Sequence, residues 1–168
     1  MPITRRATLA DLPAILALVR RVVPLMQASG NFQWSVDYPN EAVFRADIEH
    51  NHLWVAELDG AIAGVAALTQ DQDEEYAQAD WDVTQPALVT HRLAVDPAAH
   101  GRGVALALME QAEKQATAEG LHVLRVDTNS ENAATQRLFP KLGYRFAGEI
   151  TLAFRPGLRF FCYEKRLG

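Results

Sequence analysis

Apolar residues recur along the chain with two different periods, and the changes between them mark out the elements. Leu12, Ile15, Leu16, Val19, Val22, Val23 and Met26 follow at helical spacing, and the run stops before Gly30. Thr8 precedes it as an N-cap, with Asp11 three residues on in the capping-box position, and Ile3 to Arg6 reads as a short strand before that. A second helix is expected from Glu41 to about Glu49. His52 to Leu58 and Ala61 to Leu68 read as strands joined by Asp59-Gly60, a dipeptide favoured in two-residue hairpin turns. Leu88 to Val95 reads as a third long strand, Gly101 to about Glu119 as a helix, and Leu121 to Asp127 as a strand. Ala133 to Leu142 reads as helix, and two last strands fit Tyr144 to Phe154 and Leu158 to Lys165 around Pro156-Gly157. The order β α α β β β α β α β β predicts a mixed α/β (α+β) fold, with about seven strands and helices on both faces of the sheet.

Length and composition agree with a globular chain. The 168 residues suit one domain spanning 1–168, and 49% hydrophobic with 22% charged residues excludes disordered, collagen-like and coiled-coil classes. A net charge of −5 argues against a general nucleic-acid binder, which must neutralise phosphates. That charge is local. Asp71, Asp73, Glu74, Glu75, Asp80 and Asp82 lie together with no Lys or Arg among them, and without these six the chain holds 15 acids against 16 bases. The single cysteine, Cys162, sits in an apolar run and implies no internal disulfide. The opening MPITRRATLADL has no apolar leader core, and no stretch approaches the roughly 18 apolar residues of a membrane span, so a cytoplasmic protein with no membrane partner is expected.

The strongest chemical signal runs from His91 to Ala105, where a strand feeds a glycine-punctuated turn that opens a helix. Gly101 and Gly103 let a ligand approach backbone amides without meeting a side chain. The unpaired amides of a helix N-terminus, together with the helix dipole, favour an anion such as phosphate, to which Arg102 would add a charge-assisted contact. On spacing alone, the same glycines also suit a tight strand-to-helix connection.

His100, Gly103 and Ala105 take the specified places of an Arg/Gln-x-x-Gly-x-Gly/Ala run, and this stretch resembles motif A of the GNAT superfamily of acetyl-CoA-dependent N-acetyltransferases. Asn132 with Leu138 to Tyr144 is similar to the family's motif B, and the element order matches the family fold over nearly the whole chain. The resemblance implies acetyl-CoA as co-substrate. The backbone of Leu93, Ala94 and Val95 would pair with the pantetheine arm, and the amides of Gly101, Arg102, Gly103, Val104 and Ala105 would hold the pyrophosphate. Asn132 would bond the pantetheine or adjacent backbone, and the strands ending near Val95 and Asp127 would splay into a reaction cleft. Two positions depart from the family pattern. His100 replaces Arg or Gln, and Phe139 stands where many members carry a Tyr that protonates the leaving thiolate; Pro140 beside it should kink the helix.

The resemblance further implies direct attack of a neutral amine, so the enzyme must accept a proton. His91 is the first candidate base, with a buried, hydrogen-bonded strand histidine as the alternative; Asp127 is the second, or else a cap of the turn to Asn129. Tyr144 and Tyr163 are candidate proton donors in runs that also read as core. Trp34 and Tyr38, in the aromatic loop before Asn40, either wall the acceptor pocket or pack the loop. Tyr76 and Trp81 lie in the acidic segment, which either draws in a cationic amine or is a solvated loop. The histidines lack the spacing of metal ligands. The expected function is acetyl transfer to a small-molecule amine acceptor, with a CoA-binding module that has lost catalysis, encouraged by Phe139, or a protein N-acetyltransferase as alternatives. A homodimer is compatible with the chain.

Overall fold

The amphipathic run after Thr8 folds as its spacing predicts. The Asp11 carboxylate accepts the Thr8 amide at 2.7 Å, and α1 (Leu12–Ala28) turns Ile15, Leu18, Val19, Val22 and Val23 into the core. Asn40 caps α2 (Glu41–Glu49) by accepting the Val43 amide at 3.1 Å. The computed structural model describes residues 1–168 and places seven strands in one sheet, in the order β1-β2-β3-β4-β5-β7-β6. The strands are β1 (Ile3–Arg6), β2 (Leu53–Leu58), β3 (Ala61–Thr69), β4 (Leu88–Val95), β5 (Val123–Asn129), β6 (Arg145–Ile150) and β7 (Phe160–Arg166). At the hairpin between β2 and β3, Asp59 and Gly60 both adopt positive φ, as the dipeptide leads one to expect.

Helices α3 (Val104–Ala118) and α4 (Ala133–Lys141) complete the order. On one face, α1 and α2 pack on Leu53, Val55, Val65, Ala67 and Ala94. On the other, α3 sets Val104 and Leu108 against Ala56, Ala63 and Ala66, and Met109, Ala112 and Ala116 against Leu124 and Val126. The acidic segment is no solvated loop. It carries Tyr76 and Ala79 into a third cluster with Val89, Phe160 and Cys162, where it covers the part of the sheet that α1 and α2 leave open. Arg125, fully buried, ties that segment down: its guanidinium donates to Glu164 Oε2 (2.9 Å), Gln72 Oε1 (2.6 Å) and the Asp82 carbonyl (2.8 Å).

Several boundaries differ from the sequence expectation. Helix α3 begins at Val104 because Gly101 and Gly103 take φ of +79° and +82°, which no helix accommodates. Strand β6 ends at Ile150, since the Thr151 amide bonds the Gln78 side chain (3.0 Å) instead of a strand partner. Pro140 falls in the last turn of α4, with one helical residue after it, so no helical arm remains to be bent.

All neighbouring strands are antiparallel except β4 and β5, which run parallel and pair only at Leu88–Leu124, Val89–Arg125 and Thr90–Val126. Beyond Thr90 and Val126 the two strands part. On its other edge β4 stays paired to β3, but Val65 faces Ala94 and Ala67 faces His91, so Arg92 and Leu93 together oppose Ala66. That is a β-bulge, and Arg92 takes its positive φ of +53°. The extra residue reverses the strand's alternation, so that both His91 and Ala94 face the α1/α2 side while Leu93 and Val95 face α3.

Candidate active site

The parting of β4 and β5 opens a cleft of about 1060 Å³. Leu93, Ala94 and Val95 line it with the strand edge that β5 has left unpaired, so their backbone amides and carbonyls on that side are open to a ligand. The turn after β4 supplies the next wall. His100, Gly101, Gly103, Val104 and Ala105 all line the cleft, and neither the Gly101 nor the Gly103 amide has a backbone acceptor in the chain. The amides of Val104 and Ala105 open α3 and have no preceding turn to bond. Nothing lies within 4 Å of where a Cβ would stand on either glycine. A row of free amides facing a strand edge suits a ligand that carries a phosphate at one end and amides along its length.

Asn132 lines the same cleft as the N-cap of α4, its side-chain Oδ1 accepting the Thr135 amide at 3.2 Å. Phe139 lies at the floor of the cleft, against the rings of Tyr144 and Tyr163 at 5.8 and 5.5 Å. Arg102 does not line the cleft. Its guanidinium reaches back to Asp59 in the β2–β3 turn at 2.9 Å, because the positive φ values of its glycine neighbours point it outward. Besides Arg92 on β4, the arginine and lysine side chains that line the cleft are Arg137 and Lys141 on α4, which no sequence motif singles out.

Both candidate bases lie where the strands part. Asp127 follows Val126 and His91 follows Thr90, so each stands one residue beyond the last β4–β5 pair, and both line the cleft. His91 Nε2–H donates to the Asp71 carbonyl at 3.2 Å. Burial, aided by the adjacent Arg92 charge, pushes the imidazole down to about 4. Asp127 goes the other way: burial, opposed by a hydrogen bond from the Tyr76 hydroxyl and reinforced by Asp73, pulls its carboxyl up to about 6. At neutral pH the imidazole is therefore uncharged and weakly basic, whereas the carboxylate is ionised.

Trp34 and Tyr38 line the cleft together with Met26 and Phe154. The Arg155 guanidinium lies over the Tyr38 ring at 4.7 Å and over Phe154 at 5.2 Å, and its Nε donates to the Gln33 carbonyl at 2.6 Å. It thus clasps the loop after α1 to the loop after β6. Of the six clustered acids only Asp71 and Asp73 line the cleft. The Asp73 carboxylate accepts no hydrogen bond in the chain, and burial, with Glu75 and Asp71 nearby, raises its pKa. Arg92, displaced by the bulge, meets Asp47 on α2 through two 2.7 Å hydrogen bonds, and its Nη1 stands 3.5 Å from the Tyr38 hydroxyl. Asp47 had a signal in the sequence: it shares the core-facing side of α2 with Phe44 and Ile48. Asp73 stands out only as one of the six clustered acids, and Arg92 had no signal.

Three expected site residues besides Arg102 are placed elsewhere. Tyr163 is buried beside Phe139 and Phe146 and does not line the cleft, because its strand position faces α3 and α4. Tyr76 is fully buried and touches the cleft only through Asp127. Trp81 packs on Tyr76 and over Arg125, and its indole N–H donates to the Tyr76 carbonyl at 2.7 Å. The last two serve the interior rather than meeting a substrate.

Comparison with known proteins places this geometry. The acetyltransferase (GNAT) family matches residues 19–144. The chain belongs to that family. As a GNAT acetyltransferase it is an acyltransferase that uses acetyl-CoA, and the strand edge and free amides fit that co-substrate. A relative from Pseudomonas paraeruginosa, named L-methionine sulfoximine/L-methionine sulfone acetyltransferase, is 29% identical over 151 residues, covering 87% of this chain and 81% of its own. A GNAT-family acetyltransferase structure from Streptococcus agalactiae superposes with a TM-score of 0.82 at 28% identity, covering 99% of this chain and 96% of that one. The fold also matches the yncA protein of Salmonella typhimurium, solved with its cofactor acetyl-CoA, with a TM-score of 0.72 at 20% identity, over 100% of this chain and 95% of that one. No helix of this GNAT acetyltransferase is long and apolar enough to cross a membrane.

Proposed function

We propose that the protein acetylates the amine of a small, amino-acid-like acceptor. The observation that carries this reading is the Arg155 clasp, which ties the loops of Tyr38 and Phe154 together as one wall of the acceptor end. The Pseudomonas relative, whose name gives an amino acid as acceptor, supports it. On this reading Asp73 and Asp127 receive the ammonium group, and Arg92 Nη1 with the Tyr38 hydroxyl faces an acceptor carboxylate.

Acetyl-CoA supplies the thioester carbonyl that the amine attacks. Gly101, Gly103, Val104 and Ala105 would hold its pyrophosphate by their amides, Leu93 to Val95 its pantetheine by the free strand edge, and Asn132 its arm, with Arg137 and Lys141 adding charge. Asp127 takes the proton that the ammonium must lose before its lone pair is free, because its carboxylate is ionised at neutral pH while His91 holds a proton weakly. The His91 Nδ1 remains free to accept a hydrogen bond from the amine. As the C–N bond forms and the C–S bond breaks, the second N–H proton passes to water. Water also protonates the thiolate, since Phe139 has no proton to give.

Thiol release is the test, run with L-methionine sulfone, a set of L-amino acids, spermidine and a short peptide with a free N-terminus. Acetylation of an amino acid in preference to the polyamine and the peptide is expected. Preference for the peptide, or no thiol release above hydrolysis with any amine, overturns the reading.

A further inference from the structure

The acidic segment reaches the chemistry through a residue that never meets the substrate. Tyr76 donates its hydroxyl hydrogen to Asp127 Oδ2 at 2.5 Å, and Oδ1 accepts no hydrogen bond in the chain. The tyrosine itself is rigidly seated. It is fully buried, packed on Trp81 with ring centroids 4.9 Å apart, and its carbonyl accepts the Trp81 indole N–H at 2.7 Å. Trp81 in turn covers the Arg125 guanidinium at 4.9 Å, and three hydrogen bonds fix that guanidinium to the sheet and to both ends of the segment. A buried core tyrosine needs some partner for its hydroxyl, and here the partner is Asp127, the cleft carboxylate that stands one residue beyond the last β4–β5 pair.

We propose that Tyr76 is a positioning residue for acetyl transfer, holding Oδ2 of Asp127 so that Oδ1 alone is presented to the incoming amine. The proposal rests on Asp127 being the proton acceptor. The groups that face Asp127 are few: Asp73 from the acidic segment, His91 from the neighbouring position on β4, and Cys162, its register partner on β7. His91 is uncharged at neutral pH, and burial with the Asp127 charge keeps the Cys162 thiol protonated. Asp73 adds negative charge that favours protonation of Asp127, and the Tyr76 hydrogen bond is the contact that opposes it.

The experiment is a carboxyl 13C NMR titration of the protein with labelled aspartate, in which Asp127→Asn identifies the Asp127 resonance and Tyr76→Phe removes the hydroxyl. Losing a hydrogen bond to the ionised carboxylate should move the Asp127 midpoint up by about one pH unit. The acid limb of kcat/KM, measured with the amine of the panel that is acetylated fastest, should move with it. Fluorotyrosine at position 76, a stronger donor of nearly the same shape, should move both to lower pH and keeps the test open if Tyr76→Phe fails to fold. An acid limb that persists in Asp127→Asn removes Asp127 as proton acceptor and the reading beneath the proposal. A limb that disappears in Asp127→Asn but stays in place with both Tyr76 replacements overturns the role of Tyr76 alone.

Discussion

Arg92 on the β4 bulge and Asp47 on α2 meet through two hydrogen bonds of 2.7 Å, in a side-on pair that is mostly out of solvent. Desolvation disfavours the Arg92 charge, but its hydrogen bonds to Asp47, together with the Asp47 charge and Tyr38, outweigh it and keep the guanidinium firmly protonated. The pair joins β4, whose freed edge lines the cleft, to α2. Removing one partner strands the other. Asp47→Ala should destabilise the fold by about 3 kcal/mol, or roughly 6–12 °C in Tm for a chain of this length. Replacing both residues by apolar ones should cost less than Asp47→Ala alone, which thermal melts of the three variants will check.

Gly64 on β3 sits directly beneath the start of α3. A Cβ there would stand 2.5 Å from Val104 Cγ1 and 3.2 Å from the Ala94 carbonyl oxygen. Valine is stiff at its Cβ and the carbonyl belongs to β4, so neither gives way easily. Gly64→Ala should push the first turn of α3 off the sheet and weaken acetyl-CoA binding about tenfold or more, measured by calorimetry. Unchanged affinity would mean that the amides of that turn do not hold the co-substrate.

Arg102 and Gly103 separate the side chain from the backbone as sources of anion affinity. Arg102 is engaged with Asp59 at the surface, so Arg102→Ala should change acetyl-CoA affinity less than about twofold, the scale of an exposed ion pair. Gly103 holds φ +82°, where a side chain costs about 1–2 kcal/mol. Gly103→Ala should relieve that strain by turning the amides away, with a loss of about tenfold in the same calorimetric titration.

His91 and Asp127 should offset each other in the pH dependence of stability. His91 falls from 6.5 to about 4 on folding, so the unfolded chain binds more protons between those values, and stability rises with pH through that window. Asp127 rises from 3.8 to about 6, so the folded chain binds more protons there, and stability falls as pH rises through the same range. Urea unfolding of the wild type should therefore vary little between about pH 4 and 6. Asp127→Asn should unmask a rise with pH, and His91→Gln a fall. Asp11, held near 2 by Arg5, acts below this window, and its contribution is lost as pH falls through about 2.

The sequence patterns carry far toward the elements and the co-substrate, and less far toward the acceptor. Helical spacing located α1, the Asp-Gly turn located the β2–β3 hairpin, and Gly101 and Gly103 located the free amides. These are local effects, decided by the backbone preferences of a few neighbouring residues. Misplaced residues share a different property. Residue chemistry turns Arg102 toward the ligand and leaves the segment of Tyr76 and Trp81 to face either a cationic amine or solvent, yet Arg102 turns outward to Asp59 and the two aromatic residues inward to Asp127 and Arg125. A composition of clustered carboxylates says nothing about which way the aromatic residues between them point.

What the residues determined unaided was the succession of seven strands and four helices, and a turn built to expose amides, because periodicity, glycine conformation and helix ends act over a few positions. Tertiary structure alone decided the rest of the site. The β4–β5 pairing ends after Thr90 and Val126, and an extra residue at Arg92 reverses the facing of β4, which together bring His91 and Asp127 to one opening. Burial then inverted their expected order as bases, lowering the imidazole and raising the carboxyl, since the charged form of each loses its water. Such desolvation is a property of what surrounds a side chain in space, and residues 36 positions apart in sequence share it only once the sheet has formed.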